Sequence, residues 1–256
     1  MKISKTGVTD FFKNAGVAKG DTVFLHSDAF VTAELEGKDI NEKAEVLFAG
    51  ILDAIGEEGT LVVPTFTYSA TKGEVYNVEE TKSDVGLLTE IFRKRPGVIR
   101  TLNPVFSVAV TGAGAKAFAD AAIDDSFGEN TSFGLLYQLN AWIITLGCSL
   151  DRVTFIHYVD QMAKVDYRYF KTFPATIVNG SEMIQEDFRY LVRDLNRKTS
   201  VQLDDLRNRL RTEGLLSTAE MGRALLMSVR AKDFFNTAVE MIHQKPNAHI
   251  QEGYIK

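Results

Sequence analysis

Cysteine occurs once in the 256 residues, at Cys148. No internal disulfide can form, and the chain suits a reducing compartment. Histidine occurs four times, at positions 26, 157, 243 and 249. A zinc site needs three or four ligands, and no carboxylate-rich cluster completes such a set, so no metal is expected. No stretch approaches the roughly 18 uncharged apolar residues of a membrane span. The N-terminal MKISKTGVTDFFKNAG reads as an amphipathic helix charged throughout, unlike the continuous apolar core of a secretion signal. Excess basic charge is also missing. Twenty-nine Lys and Arg against 34 Asp and Glu give a net charge of −5, which argues against a chain-wide nucleic-acid or membrane-surface role. GxGxxG, Walker A and CxxC patterns are absent, leaving the standard dinucleotide, P-loop and redox readings without support. The expectation is a cytoplasmic protein with a small-molecule partner and neither nucleic acid nor membrane. Homo-oligomerisation stays open.

What is present is ordinary globular material, 45% hydrophobic and 25% charged, enough for a sizeable core. Apolar strand-like runs at 20–27, 59–69, 103–112 and 141–148 alternate with helical spacing at 41–56, 84–97, 114–123 and 132–140. A further strand is predicted over 166–180, and the rest reads as mostly helical, ending in a loose tail. The predicted fold is α/β: a single domain over 1–256, a central sheet flanked by helices, and a helical C-terminal third. Ligands of open α/β sheets gather at strand carboxyl ends. Three polar clusters fall at such ends: His26–Ser27, Thr65–Thr67–Tyr68, and His157–Asp160 in TFIHYVDQ.

Each cluster has a chemical and a plain reading. With Thr154 as a helix cap, His157 and Asp160 lie three apart on one face. The acid could then hold one imidazole nitrogen and leave the other to take a proton; equally, TFIHYVDQ could be a helix start with an early acid. Cys148 could be a thiol nucleophile or a small buried hydrophobe. HSDAF could cradle a phosphate at a helix start or be a plain cap. Thr65, Thr67 and Tyr68 could offer hydroxyls to a phosphate or pantetheine-like group, or be turn polarity. Arg100 could grip phosphate or face solvent. DYRYFK interleaves aromatics with Arg168 and Lys171, which suits a nucleotide or sugar but also an ordinary strand with one wet face. RYLVRDLNRKTS reads as a solvated basic helix.

The order of the segments says more than any one of them. LHSDAF, GTLVVPTFTYS, IRTLNPVFSVAVTG, SFGENTSFGLL and ITLGCSLDRVTFIHYVDQ follow one another as in the aminoglycoside 3-N-acetyltransferase family, which the chain resembles from about residue 5 to 245. The resemblance implies transfer of an acyl group from acyl-coenzyme A, as co-substrate, to an amine on a sugar ring, without a covalent acyl-enzyme. It implies that His157 is the general base and Asp160 its partner. It implies that Ser27, Thr65, Thr67, Arg100 and Ser107 line the coenzyme A site, and that Tyr68, Asn103, Arg168 and Lys171 meet the acceptor. Two positions depart from the family pattern: Asp160 stands where Glu is usual, and Asn103 where the Arg-x-x-His-Pro stretch has His.

The acceptor has two candidates. Acids at Asp120, Asp124, Asp125, Glu129, Asp151, Asp160 and Asp166 could make a pocket for a polycationic aminoglycoside. The DYRYFK stretch and the style of TFIHYVDQ suit a nucleotide-linked amino sugar of surface-polysaccharide assembly, which is the favoured expectation here. A thiol or serine hydrolase built on Cys148 or Ser27, and a coenzyme A-binding homologue without catalysis, are the other readings.

Overall fold

The computed structural model describes residues 2–197 and 199–253. Its strands are β1 (Thr22–Ser27), β2 (Thr60–Pro64), β3 (Tyr76–Asn77), β4 (Ile99–Arg100), β5 (Val108–Gly112), β6 (Trp142–Leu146), β7 (Arg168–Asn179), β8 (Glu182–Arg193), β9 (Thr199–Val201), β10 (Ser217–Met221), β11 (Ala224–Arg230) and β12 (Ile250–Glu252). Its helices are α1 (Lys5–Asn14), α2 (Ile40–Ile55), α3 (Ser69–Lys72), α4 (Leu87–Arg93), α5 (Ala115–Ala119), α6 (Ser132–Gln138), α7 (Ile156–Met162), α8 (Asp204–Thr212) and α9 (Ala231–Gln244).

Seven strands form the central sheet in the order β10-β11-β6-β1-β2-β5-β4. Only β6, β1 and β2 run parallel, and the other pairs are antiparallel. The parallel strands are buried on both faces, which is why their sequences are continuously apolar. Val23 and Leu25 of β1 enter the core under α1, α2 and α4, and Phe24 enters the core under α6, α7 and α9. Asp39 caps α2 by accepting from the N–H groups of Asn41 and Glu42, and Gly56 ends it at φ 66°. Because β1, β2 and β6 are parallel, their carboxyl ends share one edge of the sheet.

The α/β sandwich is as expected, but the helical C-terminal third is not. SEMIQEDFRYLVRD forms β8, paired with β7 from Arg168↔Arg193 to Asn179↔Glu182. Its Glu, Gln and Arg content favours a helix, yet Ile184, Phe188 and Tyr190 recur at period two, and VNGSE supplies a two-residue Gly180–Ser181 hairpin loop between Asn179 and Glu182, with Gly180 at φ 58°. TAEMGRALLMSVR likewise forms the β10–β11 hairpin around Gly222, and β11 inserts beside β6. Tertiary pairing overrides helix propensity in both. Helices are found where predicted at α8 and α9. The predicted helices over 84–97 and 114–123 shrink to α4 and α5, and the tail contributes β12, paired with β9.

Candidate active site

The sheet edge carries the three sequence clusters to one place. A cavity of about 570 Å³ is lined by His26, Ser27 and Asp28 at the end of β1, by Pro64, Phe66 and Tyr68 at the end of β2, and by Cys148, Thr154 and His157 after β6. Gly147 lets the chain leave β6 closely: it sits at φ 74°, and a Cβ there would lie 2.6 Å from Val31 Cγ1. His157 also lines a second cavity of about 550 Å³, shared with Arg168, Lys171, Tyr190 and Arg193 of the hairpin. The imidazole therefore stands at the junction of two concavities.

Helix α7 begins at Ile156 after Phe155, so Thr154 is not its cap, and His157 is the second helical residue. Thr154 instead donates its backbone N–H to His26 Nε2 at 3.5 Å. Asp160 is buried under His157. Its Oδ1 accepts from the Tyr167 hydroxyl at 2.6 Å, and its Oδ2 accepts from Arg168 Nε at 2.8 Å. Burial alone would raise the Asp160 carboxyl, but contacts with His157, Arg168 and Tyr167 hold it below the usual carboxylate range. The Arg168 contact is the one that brings a full opposite charge, at 2.8 Å.

His157 Nδ1 lies 3.4 Å from Asp160 Oδ2 and 2.9 Å from Arg168 Nη2. A guanidinium only donates and a carboxylate only accepts. The shorter contact makes Nδ1 an acceptor and puts the ring proton on Nε2. The longer one needs the proton on Nδ1 and leaves Nε2 bare. Both tautomers have a partner in place. Burial first, then the charge of Arg168, lowers His157 to about 4 against the opposing pull of Asp160, so the ring is neutral at pH 7. Burial lowers His26 to about 3.

These two histidines set an acid limit on stability. Unfolded, both bind protons below about pH 6.5; folded, they stay neutral down to about pH 4. The unfolded chain binds more protons in that window, so stability falls as pH falls from 6.5 to 4 and is unaffected by them above 7. Denaturant unfolding at pH 7.5 and pH 5 is expected to differ by about 2–4 kcal/mol. Equal midpoints would contradict the buried neutral pair.

The other sequence-selected residues divide. Alternation beyond β2 points Phe66 and Tyr68 into the cleft and turns Thr65 and Thr67 away from it. Thr65 bonds Ser107 Oγ (3.2 Å) and its carbonyl (3.1 Å), Thr67 donates to Pro104 O, and Ser107 donates to Thr65 O. Arg100 donates to Thr65 and Ser107 through Nε and to the carbonyls of Val78, Thr81 and Thr65. All four are buried and absent from the cleft lining. Their expected coenzyme A contact is revised: they form a closed network behind its wall. Asn103 is also internal. Its Oδ1 accepts from the N–H groups of Val105 and Phe106, and its Nδ2 donates to Asp125 O, so it braces a turn rather than facing the acceptor. Arg168 is the buried partner of Asp160 rather than a free acceptor contact, whereas Lys171 lines the hairpin-side cavity.

Ser27 stays on the cleft wall, and its hydroxyl has no hydrogen-bond partner among the described residues. The HSDAF stretch is a plain cap: Asp28 accepts from Phe30 N–H at 2.9 Å. Burial pushes the Cys148 thiol up to about 11, so neither a thiolate nor an activated serine is in place. Three of the acids, Asp124, Asp125 and Glu129, line a separate cavity of about 470 Å³ together with Lys164 and Arg189, and only Asp151 lines the cleft, so the seven do not form one acidic pocket at His157. Asp125 is tied to Arg189 and Gln161, Asp151 to Ser149 and the Leu203 N–H, and Asp120 to Lys116. Among the described residues no group of three or more His, Cys, Asp or Glu could hold a metal ion, and no helix is long and apolar enough to cross a membrane. Tyr167 was missed, since nothing in DYRYFK separates its buried hydroxyl from the exposed ring of Tyr169.

Likeness to known proteins fits this arrangement. The chain is 25% identical over 206 residues to aminoglycoside N(3)-acetyltransferase VII of Streptomyces paromomycinus, covering 73% of this chain and 70% of that one. Its fold matches the solved structure of AAC-IIIb in binary complex with CoASH, with TM-score 0.81, 18% identity, and 96% and 98% coverage. It also matches that of AAC-VIa bound to sisomicin, with TM-score 0.79, 16% identity, and 96% and 99% coverage. The relatives it matches are acyl-coenzyme A-dependent N-acyltransferases. The family model described as aminoglycoside 3-N-acetyltransferase matches residues 25–243, and the chain belongs to that family.

Proposed function

We propose that this protein transfers an acyl group, acetyl in the first instance, from acyl-coenzyme A to an amine of an amino sugar, with His157 as general base. The observation that carries this is the place of His157 at the junction of two cavities in a chain of this family. A donor and an acceptor can meet at Nε2 from opposite sides. The apolar wall of Phe66, Val85, Val153 and Ile156 fits an uncharged pantetheine arm. Bound acyl-coenzyme A would supply a thioester carbonyl open to attack by a free amine. His157 takes the amine's proton at Nε2 in the tautomer whose Nδ1–H points to Asp160. Arg168 and Tyr167 hold that carboxylate still.

Aminoglycosides are the acceptor class that the family and its sisomicin-bound neighbour support. One observation favours an anionic amino sugar, such as a nucleotide-linked one. The hairpin-side cavity carries Lys171 and Arg193, neither of them in an ion pair among the described residues, beside Tyr169 and Tyr190. Thiol release from acetyl-coenzyme A with panels of both acceptors tests the choice. Turnover is expected with aminoglycosides. Turnover only with nucleotide-linked amino sugars would move the assignment to the anionic class, and silence with both would contradict the proposed reaction.

A further inference from the structure

Among the described residues, three other than glycine hold a positive φ: Tyr68 at 57°, Asn140 at 48° and Lys164 at 52°. Asn140 and Lys164 sit just past α6 and α7, where a left-handed residue ordinarily ends a helix. Tyr68 ends no helix. It stands just before α3, at φ 57° and ψ 21°. A bulky aromatic residue is strained there, and such strain gathers at functional sites. The surroundings hold it in place. Thr67 Oγ1 donates to Pro104 O at 3.1 Å and accepts from Ser69 Oγ at 3.0 Å. Thr71 Oγ1 donates to the Tyr68 carbonyl at 2.7 Å. The Tyr68 ring lies edge-on to Phe106, with centroids 5.8 Å apart. The buried threonine network behind the cleft wall thus fixes the placing of one tyrosine ring.

Tyr68 shares the cleft with His157 and with Phe66 and Val85, part of the apolar wall assigned above to the pantetheine arm. Of the hydroxyls lining it, Thr89 donates to Gly86 O and Ser27 Oγ is buried. Those of Tyr68 and Thr154 have no hydrogen-bond partner among the described residues, and of these two only Tyr68 is strained into place. Burial, then the charge of Asp84, raises the Tyr68 hydroxyl, so it keeps its proton. Amine attack on the thioester puts negative charge on the carbonyl oxygen, and a neutral base does not meet that charge. We propose that the Tyr68 hydroxyl donates a hydrogen bond to this oxyanion, as a catalytic residue beside the base His157. The amine lone pair forms the C–N bond while the C=O pair moves to oxygen. His157 takes the amine proton. The pair returns, the C–S bond breaks, and the coenzyme A thiolate takes that proton from His157. Tyr68 keeps its own proton throughout. This rests on the transferase reading above and moves Tyr68 from the acceptor to the acyl donor.

Steady-state kinetics separate the two claims. The wild type and Tyr68→Phe are compared with acetyl-coenzyme A and sisomicin, or with the amino sugar of the two panels that turns over fastest. Phenylalanine keeps the ring against Phe106 and removes only the hydroxyl, and matched thermal unfolding checks that the fold is kept. The variant is expected to lose about 10²-fold in kcat, the scale of a lost oxyanion donor. Both KM values, and coenzyme A affinity by calorimetry, should stay unchanged, because the contact is made only in the transition state. An unchanged kcat would overturn the role of Tyr68 and leave the transferase reading standing. A raised KM for the amino sugar with kcat unchanged would return Tyr68 to the acceptor. No turnover by the wild type with any amino sugar of either panel would overturn both.

Discussion

Replacing His157 by alanine is expected to lower kcat by about 10²-fold or more while acyl-coenzyme A still binds. A sugar amine is largely protonated near neutral pH, and it must lose a proton in reaching the thioester carbon. His157 is the neutral imidazole placed to take it, and no other histidine lines either cavity beside it except His26. The His26 Nε2 is occupied by Thr154 N–H. The pH profile should carry a mark of this site. With His157 lowered to about 4, the base form is complete above about pH 5. The acid limb of kcat/KM for the free enzyme should therefore fall near 4, not near the ordinary 6.5. An enzyme limb at 6.5, or unchanged turnover in His157→Ala, would remove His157 from the proposed role.

The Arg168→Met variant is expected to show two effects together. Removing the guanidinium leaves Asp160 buried with only Tyr167 and a distant His157, and breaking a buried pair this way costs about 3–5 kcal/mol. It also removes the cation that lies 2.9 Å from Nδ1 and holds the imidazolium off. The His157 pKa should then rise and move the acid limb of kcat/KM upward. A merely structural arginine would lower stability without moving that limb. Arg168→Lys keeps the charge but loses the fork that spans Asp160 and His157, so it should retain a low acid limb with reduced kcat. If the methionine variant does not fold, the lysine variant still decides: an unchanged kcat would contradict the positioning role. The Arg168 contact to Nδ1 and the Asp160 contact to Nδ1–H belong to different tautomers, so Arg168 serves the base form through its hold on Asp160 Oδ2.

Several parts of this site were legible from the sequence, for different physical reasons. Buried parallel strands announce themselves as continuous apolar runs, so the ends of β1, β2 and β6, and with them His26, Tyr68 and His157, could be placed at one edge. Side-chain direction beyond β2 was legible only in part. Period two separates Thr65 and Thr67 from Phe66 and Tyr68, but which set faces the cleft depends on the segment entering β5, where Ser107 packs against Thr65. The β7–β8 hairpin was half hidden because Glu, Gln and Arg on its wet face look helical, although Gly180-Ser181 marks the turn. Tyr167 and Arg168 were invisible as a unit. They meet Asp160 only after the chain leaves α7 and turns into β7, and no spacing rule encodes that turn. Asn103 illustrates the opposite case: a departure from the family pattern that suggested lost chemistry proves to be a buried brace for backbone N–H groups.

The most direct test of the proposed activity is to incubate the protein with acetyl-coenzyme A and sisomicin and analyse the sugar by mass spectrometry alongside the thiol assay. The expected result is one added acetyl group on a ring amine, matched by an equal amount of free thiol and lost in His157→Ala. Thiol release without acylated sugar would identify a hydrolase, and intact acetyl-coenzyme A with every amino sugar tried would contradict the transferase assignment itself.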